Sequence, residues 1–163
     1  MSLTDDYVHL VLAEISGVLK PIGFQKKGAT FKRETPDAVQ IINLQRSGSS
    51  TSSAVKVTVN LGVALKATLA WLGATREVSS VADCQWTTRI GAYTANKDDK
   101  WWSLTDEASA QAAAVEISEL LRDKALPELD SMSTEQGVRE ALKAGLHESN
   151  LEISLREYFQ RQS

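Results

Sequence analysis

The chain has 163 residues, 42% of them apolar and 24% charged, enough for one domain with a hydrophobic core that needs no covalent staples. Its formal charge is −3, and its one cysteine, Cys84, excludes an intrachain disulfide and fits a reducing compartment. The opening MSLTDDYVH carries acids where a leader carries bases, and no apolar run approaches the roughly 20 residues that cross a bilayer, so a cytoplasmic protein with no membrane partner is expected.

Residues 3–20 read as a helix, because Val8, Val11, Leu12, Ile15, Val18 and Leu19 recur at three- and four-residue spacing and Pro21 and Gly23 end the pattern. Its apolar face must be buried against something larger, and strands follow. Ala29–Glu34 is a short strand around Phe31, and Pro36-Asp37 signals a turn. Ala38–Arg46 has apolar residues on both parities, the mark of a strand covered on both faces. Ser47–Ser53 is a loop. In residues 55–63, Val55, Val57, Val59, Leu61 and Val63 alternate with Lys56, Thr58, Asn60 and Gly62, which predicts one buried and one polar face.

Leu65, Leu69 and Leu72 predict a short helix ending near Gly73, followed by an irregular stretch over Ala74–Asp83. Trp86, Thr88 and Ile90 alternate as a fourth strand, and Asn96–Lys100 is a turn before Trp101-Trp102. Thr105 or Ser103 caps the next helix, whose first turn holds Asp106-Glu107 and whose Ala112, Val115, Leu120, Leu121 and Leu126 carry it to Pro127. Ser133 with Gln136 and Ser149 with Glu152 read as capping boxes for two further helices, carrying Val138, Ala141 and Leu142, and then Leu151, Leu155, Tyr158 and Phe159. The order predicts an α+β fold: an N-terminal helix, a four-stranded mainly antiparallel sheet and C-terminal helices packed on it. Residues 1–163 form a single domain in this reading, with a variable insertion at 64–83 and a helical extension from about residue 131.

The charge is unevenly spread. Residues 1–105 carry a net +3 and residues 106–163 a net −6. A net-acidic chain lacks the field that supplies non-specific nucleic-acid affinity. The acidic end reads either as solvated surface or as a face that steers a basic protein partner.

No constellation for catalysis emerges. His9, His147 and Cys84 are too few for a zinc site without help from carboxylates, and neither HExxH nor paired CxxC occurs. Cys84 lies among apolar residues, as a small buried hydrophobe does. Asp98-Asp99 and Asp106-Glu107 read as loop solvation and helix capping, and the glycines form no phosphate-binding loop. The expectation is therefore no catalytic residue, no metal and no cofactor.

Binding candidates are better defined. Lys26, Lys27, Lys32 and Arg33 lie beside Phe24 and Phe31, either as a phosphate- or acid-gripping patch or as the polar face of a hairpin with its rings in the core. Asn43, Gln45, Asn60 and Arg89 interrupt otherwise apolar strands; they are either separate solvent-facing groups or a shared network that meets a ligand. Trp101 and Trp102 point to opposite faces if extended; either both pack, one in the main core and one under the helix at 106–126, or one is left for an interface or ligand wall.

These residues also carry a resemblance. The stretch Leu19-Lys20-Pro21-Ile22-Gly23-Phe24-Gln25-Lys26-Lys27-Gly28 with Phe31, then Val39-Gln40-Ile41-Ile42-Asn43-Leu44-Gln45, Val59-Asn60-Leu61-Gly62-Val63, and Cys84 with Arg89-Ile90-Gly91 ahead of Trp101-Trp102, is similar to the bacterial domain family of unknown function numbered 4304, over about residues 3–130. The resemblance supports the fold and brings no catalytic residue with it. The size, acidity and α+β pattern are similar to those of many bacterial immunity proteins, an analogy between classes. The leading expectation is a non-enzymatic protein-binding module of the immunity type that occludes the active surface of a basic toxin. The alternatives are a small-anion or nucleic-acid accessory domain and an enzyme of unknown class. A homodimer through an edge strand or Trp101-Trp102 stays open.

Overall fold

The computed structural model describes residues 2–74, 77–145 and 153–162. Helix α1 (Leu3–Leu19) opens with a capping box: the Ser2 hydroxyl accepts from the Asp5 amide, and the Asp5 carboxylate accepts from the Ser2 amide. Val8, Val11, Leu12, Ile15 and Leu19 are buried along one stripe, as the spacing predicts. A 3₁₀ turn over Lys20–Ile22 and Gly23, at φ 101°, end the helix and turn the chain into the sheet.

Six strands form one sheet in the order β1-β2-β3-β4-β5, with β6 paired to another stretch of β4. They are β1 (Gln25–Lys27), β2 (Thr30–Glu34), β3 (Ala38–Arg46), β4 (Val55–Leu65), β5 (Trp86–Arg89) and β6 (Trp102–Leu104), and every pairing is antiparallel. The sheet thus has two more strands than the pattern predicts. Both are three residues long, too short for alternation to show.

Alternation decides what each sheet face carries. Val55, Val57, Val59, Leu61, Val63 and Leu65 of β4, with Ala38, Ile42 and Leu44 of β3, join the main core beneath the helices. On the opposite face, Val39, Ile41 and Ala64 form a second, smaller cluster roofed by Val78 and Cys84 from the segment before β5. This corrects the expectation of a polar second face on β4. Thr58, Gly62 and Ala64 are buried there, with the Thr58 hydroxyl donating to the Lys100 carbonyl and Gly62 lying beneath Cys84.

After the short helix α2 (Lys66–Trp71) and 3₁₀ turns over Val81–Asp83 and Ile90–Tyr93, the chain returns to the helical layer. Helix α3 (Glu107–Leu120) packs beside α1. Its cap is Asp106 rather than Thr105 or Ser103, the carboxylate accepting from the Ser109 amide at 2.7 Å. Nor does the helical run stop at Pro127. It passes through a π turn at Leu121–Ala125 into α4 (Leu126–Ser131), and the shift in hydrogen-bond register falls just ahead of Pro127, which has no amide hydrogen to donate. Helix α5 (Glu135–Lys143) is capped by Thr134, whose hydroxyl accepts from the Gly137 amide. Ser133, expected as that cap, is buried and donates to the Leu129 carbonyl. Helix α6 (Ile153–Arg161) buries Leu155, Tyr158 and Phe159. The expected capping pair Ser149 and Glu152, with Leu151, lies outside the described residues.

Candidate functional site

The four cations of the basic run lie on two adjacent strands, and the pleat separates them. Lys27 and Lys32 face the outer side of the sheet. Arg33 pairs with Gln40 and faces the helical layer. Lys32 is bound to Glu77 at 2.9 Å, which holds the Glu77 carboxyl below its ordinary range. Arg33 is committed inward: its guanidinium donates to the Ile22 carbonyl, the Gln40 side chain and the Asp130 carboxylate, and lies 4.6 Å over the Phe24 ring. Arg33 therefore leaves the binding patch to become a tie between sheet and α4. Its aliphatic stem still helps line a cavity of about 510 Å³ with Lys26, Lys27, Lys32, Glu34 and Glu77. Lys26 and Lys27 are exposed and have no ion pair among the described residues.

The polar strand residues do converge. Thr30, Asn43, Asn60 and Arg89 are direct neighbours on β2, β3, β4 and β5, one row across the outer face of the sheet. The Arg89 side chain donates to the Asn60 carbonyl oxygen at 3.1 Å, and the Asn60 amide donates to the Gln45 carbonyl oxygen at 2.8 Å. Asn43 donates to the Thr30 hydroxyl at 3.0 Å. These half-buried amides thus satisfy one another within a ladder. Arg89 reaches on to Asp99 at 2.8 Å, and Asp99 also accepts from the Trp101 indole.

The two tryptophans divide as extended neighbours do. Trp101 lies half-exposed with Arg89 5.4 Å over its ring. Trp102 is buried in the main core, its indole donating to Glu116 at 2.9 Å. Trp102 is therefore a core residue, and Trp101 alone borders the polar ladder.

Three features went unmarked by sequence reasoning. The first is a cavity of about 460 Å³ between the 3₁₀ turn at Ile90–Tyr93, the loop after it and the π turn, lined by Thr88, Tyr93, Thr94, Lys97, Lys124 and Glu128 among others. Tyr93 donates to Glu128 at 2.8 Å, and Lys124 donates to the Tyr93 carbonyl. Burial, then the Glu128 charge and hydrogen bond, push the Tyr93 phenol well above its ordinary value. The second is a ladder of rings holding α6 to α2: Phe159 meets Tyr158 edge-on, and Tyr158 meets Trp71 at 5.9 Å. The third is the charge of the helical layer. Helices α1 and α3, packed together on one face of the sheet, contain Asp5, Asp6, Glu14, Glu107, Glu116 and Glu119 and no Lys or Arg. Chain-half totals hide this, because the arginines and lysines of the acidic half all lie beyond α3.

His9 lies exposed on α1, and His147 falls outside the described residues. Cys84 is buried against Gly62. Among the described residues no three of the His, Cys, Asp and Glu side chains gather as metal ligands, and no helix is long and apolar enough to cross a membrane. No curated protein and no solved structure matches the chain. A family model does match residues 15–131, from the last five residues of α1 through α4, and so includes the whole sheet, the polar ladder and the π turn. The chain belongs to the family described as a domain of unknown function (DUF4304).

Proposed function

We propose that the protein is a non-enzymatic binding module that occludes the surface of a basic protein, in the manner of an immunity protein acting on a toxin in the cytoplasm. One observation carries this reading: the side-by-side helices α1 and α3 hold six carboxylates and no lysine or arginine. Two of the six have work inside the fold, Asp5 with Arg46 and Glu116 with the Trp102 indole. Asp6, Glu14, Glu107 and Glu119 are exposed, with Val115 54% exposed on the same α3. A field of one sign over a rigid two-helix layer speeds encounter with a partner of the opposite sign and rejects nucleic acid.

The mechanism asks nothing of bond chemistry. The helices, held from below by the main core, present a preformed surface, and the partner loses access to its own working face. Affinity capture from lysate of the source cells, at low and moderate salt and read by mass spectrometry, tests it. The wild-type chain retains a stoichiometric basic protein that a variant carrying Asp6→Lys, Glu14→Lys and Glu119→Lys does not. Equal capture by the two chains contradicts the reading.

A second reading has its own observation. Lys26, Lys27, Lys32 and Arg33 line one concave surface, as an anion-binding accessory domain requires. Its electropositive part reduces to Lys26 and Lys27, since Glu77 and Asp130 engage the other two cations.

A further inference from the structure

We infer that the cavity between the Ile90–Tyr93 turn and the π turn is a binding site for a small oxyanion, a phosphate or carboxylate group, separate from the helical docking face. Three independent features of the backbone meet there. The first is the π turn at Leu121–Ala125, an inserted residue's worth of helix that rotates Lys124 toward the Tyr93 carbonyl, 3.2 Å away. Such turns shift helical hydrogen bonding and occur frequently at functional sites.

The second is Lys97, at φ 56° the one non-glycine residue with positive φ among the described residues. Lysine has no side-chain means of easing this left-handed backbone, as asparagine has. The third is Gly91, whose missing side chain lets the loop close. A Cβ there would stand 2.6 Å from the Lys100 amide nitrogen and against the Asp98 carbonyl. The loop bearing Lys97 is thereby pressed onto the turn that carries Tyr93, and the cavity wall is fixed rather than open to drift.

The chemistry of the lining gives the ligand class. Lys97 and Lys124 both line the cavity together with Thr88, and the Lys124 ammonium keeps donors to spare beyond its bond to the Tyr93 carbonyl. No ion pair holds the Lys97 ammonium among the described residues. The one carboxylate of the lining, Glu128, accepts from the Tyr93 phenol, so the two lysines outnumber it and the lining carries a net positive charge. A cavity of about 460 Å³ accommodates a metabolite-sized molecule, with its anionic group between the lysines.

The test uses the full chain, labelled with ¹⁵N and titrated separately with inorganic phosphate and with succinate. One or both probes are expected to shift amides of residues 88–97 and 121–128 to saturation; which one does so tells phosphate from carboxylate. Lys97→Gly relieves the backbone, so it melts no lower than the wild type, yet binds about tenfold more weakly. Lys124→Gln shows a similar loss, while Lys56→Gln, at an exposed lysine in neither cavity, leaves the affinity unchanged. Failure of both probes to shift these amides overturns the proposal, as does undiminished binding by Lys97→Gly.

Discussion

The Arg33 guanidinium donates to the Asp130 carboxylate at 2.7 Å across 97 positions of chain, and Gln40 sits between them. Gln40 is fully buried, accepts from Arg33 Nε, and donates to both Asp130 and the Ser133 hydroxyl. Ser133 passes the chain of bonds on to the Leu129 carbonyl. The helical layer is thus fastened to the sheet by a network in which each buried polar group has a partner, at the junction between α4 and the turn before α5.

Gln40→Leu removes the centre of that network and strands the groups around it. We expect a loss of about 2–3 kcal/mol in urea unfolding. Arg33→Ala is expected to cost a similar amount, about 1–3 kcal/mol: water replaces the partner of Asp130, which is more than half exposed, but the buried Gln40 oxygen loses its donor.

Gly62 tests the second cluster. A Cβ added there would stand 2.8 Å from Cys84 Sγ and 2.9 Å from Cys84 Cβ, on a strand paired on both sides. Gly62→Ala is expected to destabilise by about 1–3 kcal/mol. Adding Cys84→Ala removes the sulfur contact alone and recovers part of the loss, as thermal denaturation of the single and double variants checks.

Legibility followed the length of the periodic signal. Helix α1 and strands β3 and β4 each repeat their pattern several times, and their bounds were readable within two residues. Strands β1 and β6 repeat nothing in three residues. Capping failed where polar candidates were crowded: Ser103, Thr105 and Asp106 all have cap chemistry, and only backbone direction chose Asp106. Of the candidate site, Asn43, Asn60 and Arg89 were conspicuous as polar residues in apolar strands, but their alignment in one row depends on register, which turn geometry fixes. Arg33 looked equivalent to Lys32; the pleat sent one to the helices and the other outward. The Lys97–Lys124 cavity had no signal at all, since a π turn leaves no mark in hydrophobic spacing.

The tryptophan pair gives a contrast within two residues. Trp102→Ala opens the main core and leaves Glu116 without its indole donor, so a loss of about 3–5 kcal/mol is expected. Trp101→Ala removes a half-exposed ring from beside Arg89 and is expected to cost less than about 1 kcal/mol. Denaturation midpoints of the two variants decide the matter.

Tyr93 makes stability fall in alkali. Its folded phenol titrates above the ordinary 10.0, so the stability it contributes is fully present below pH 10 and is lost as pH rises from there toward the folded value. Tyr93→Phe loses about 1 kcal/mol at neutral pH and declines less steeply above pH 10. Absorbance at 295 nm checks the cause: the wild-type chain should keep one more phenol un-ionised past the ordinary range than Tyr93→Phe does, since the bond to Glu135 raises Tyr158 as well.

The central claim concerns the acidic helical layer, and association kinetics test it most directly. With the captured basic partner immobilised, the association rate of the wild-type chain is measured from low to moderate salt beside the variant carrying Asp6→Lys, Glu14→Lys and Glu119→Lys. A docking face on α1 and α3 predicts a wild-type rate that falls as salt rises and, at low salt, a variant rate lower by at least about tenfold. Rates that ignore salt and are equal for the two chains would contradict it and place the partner elsewhere on the molecule.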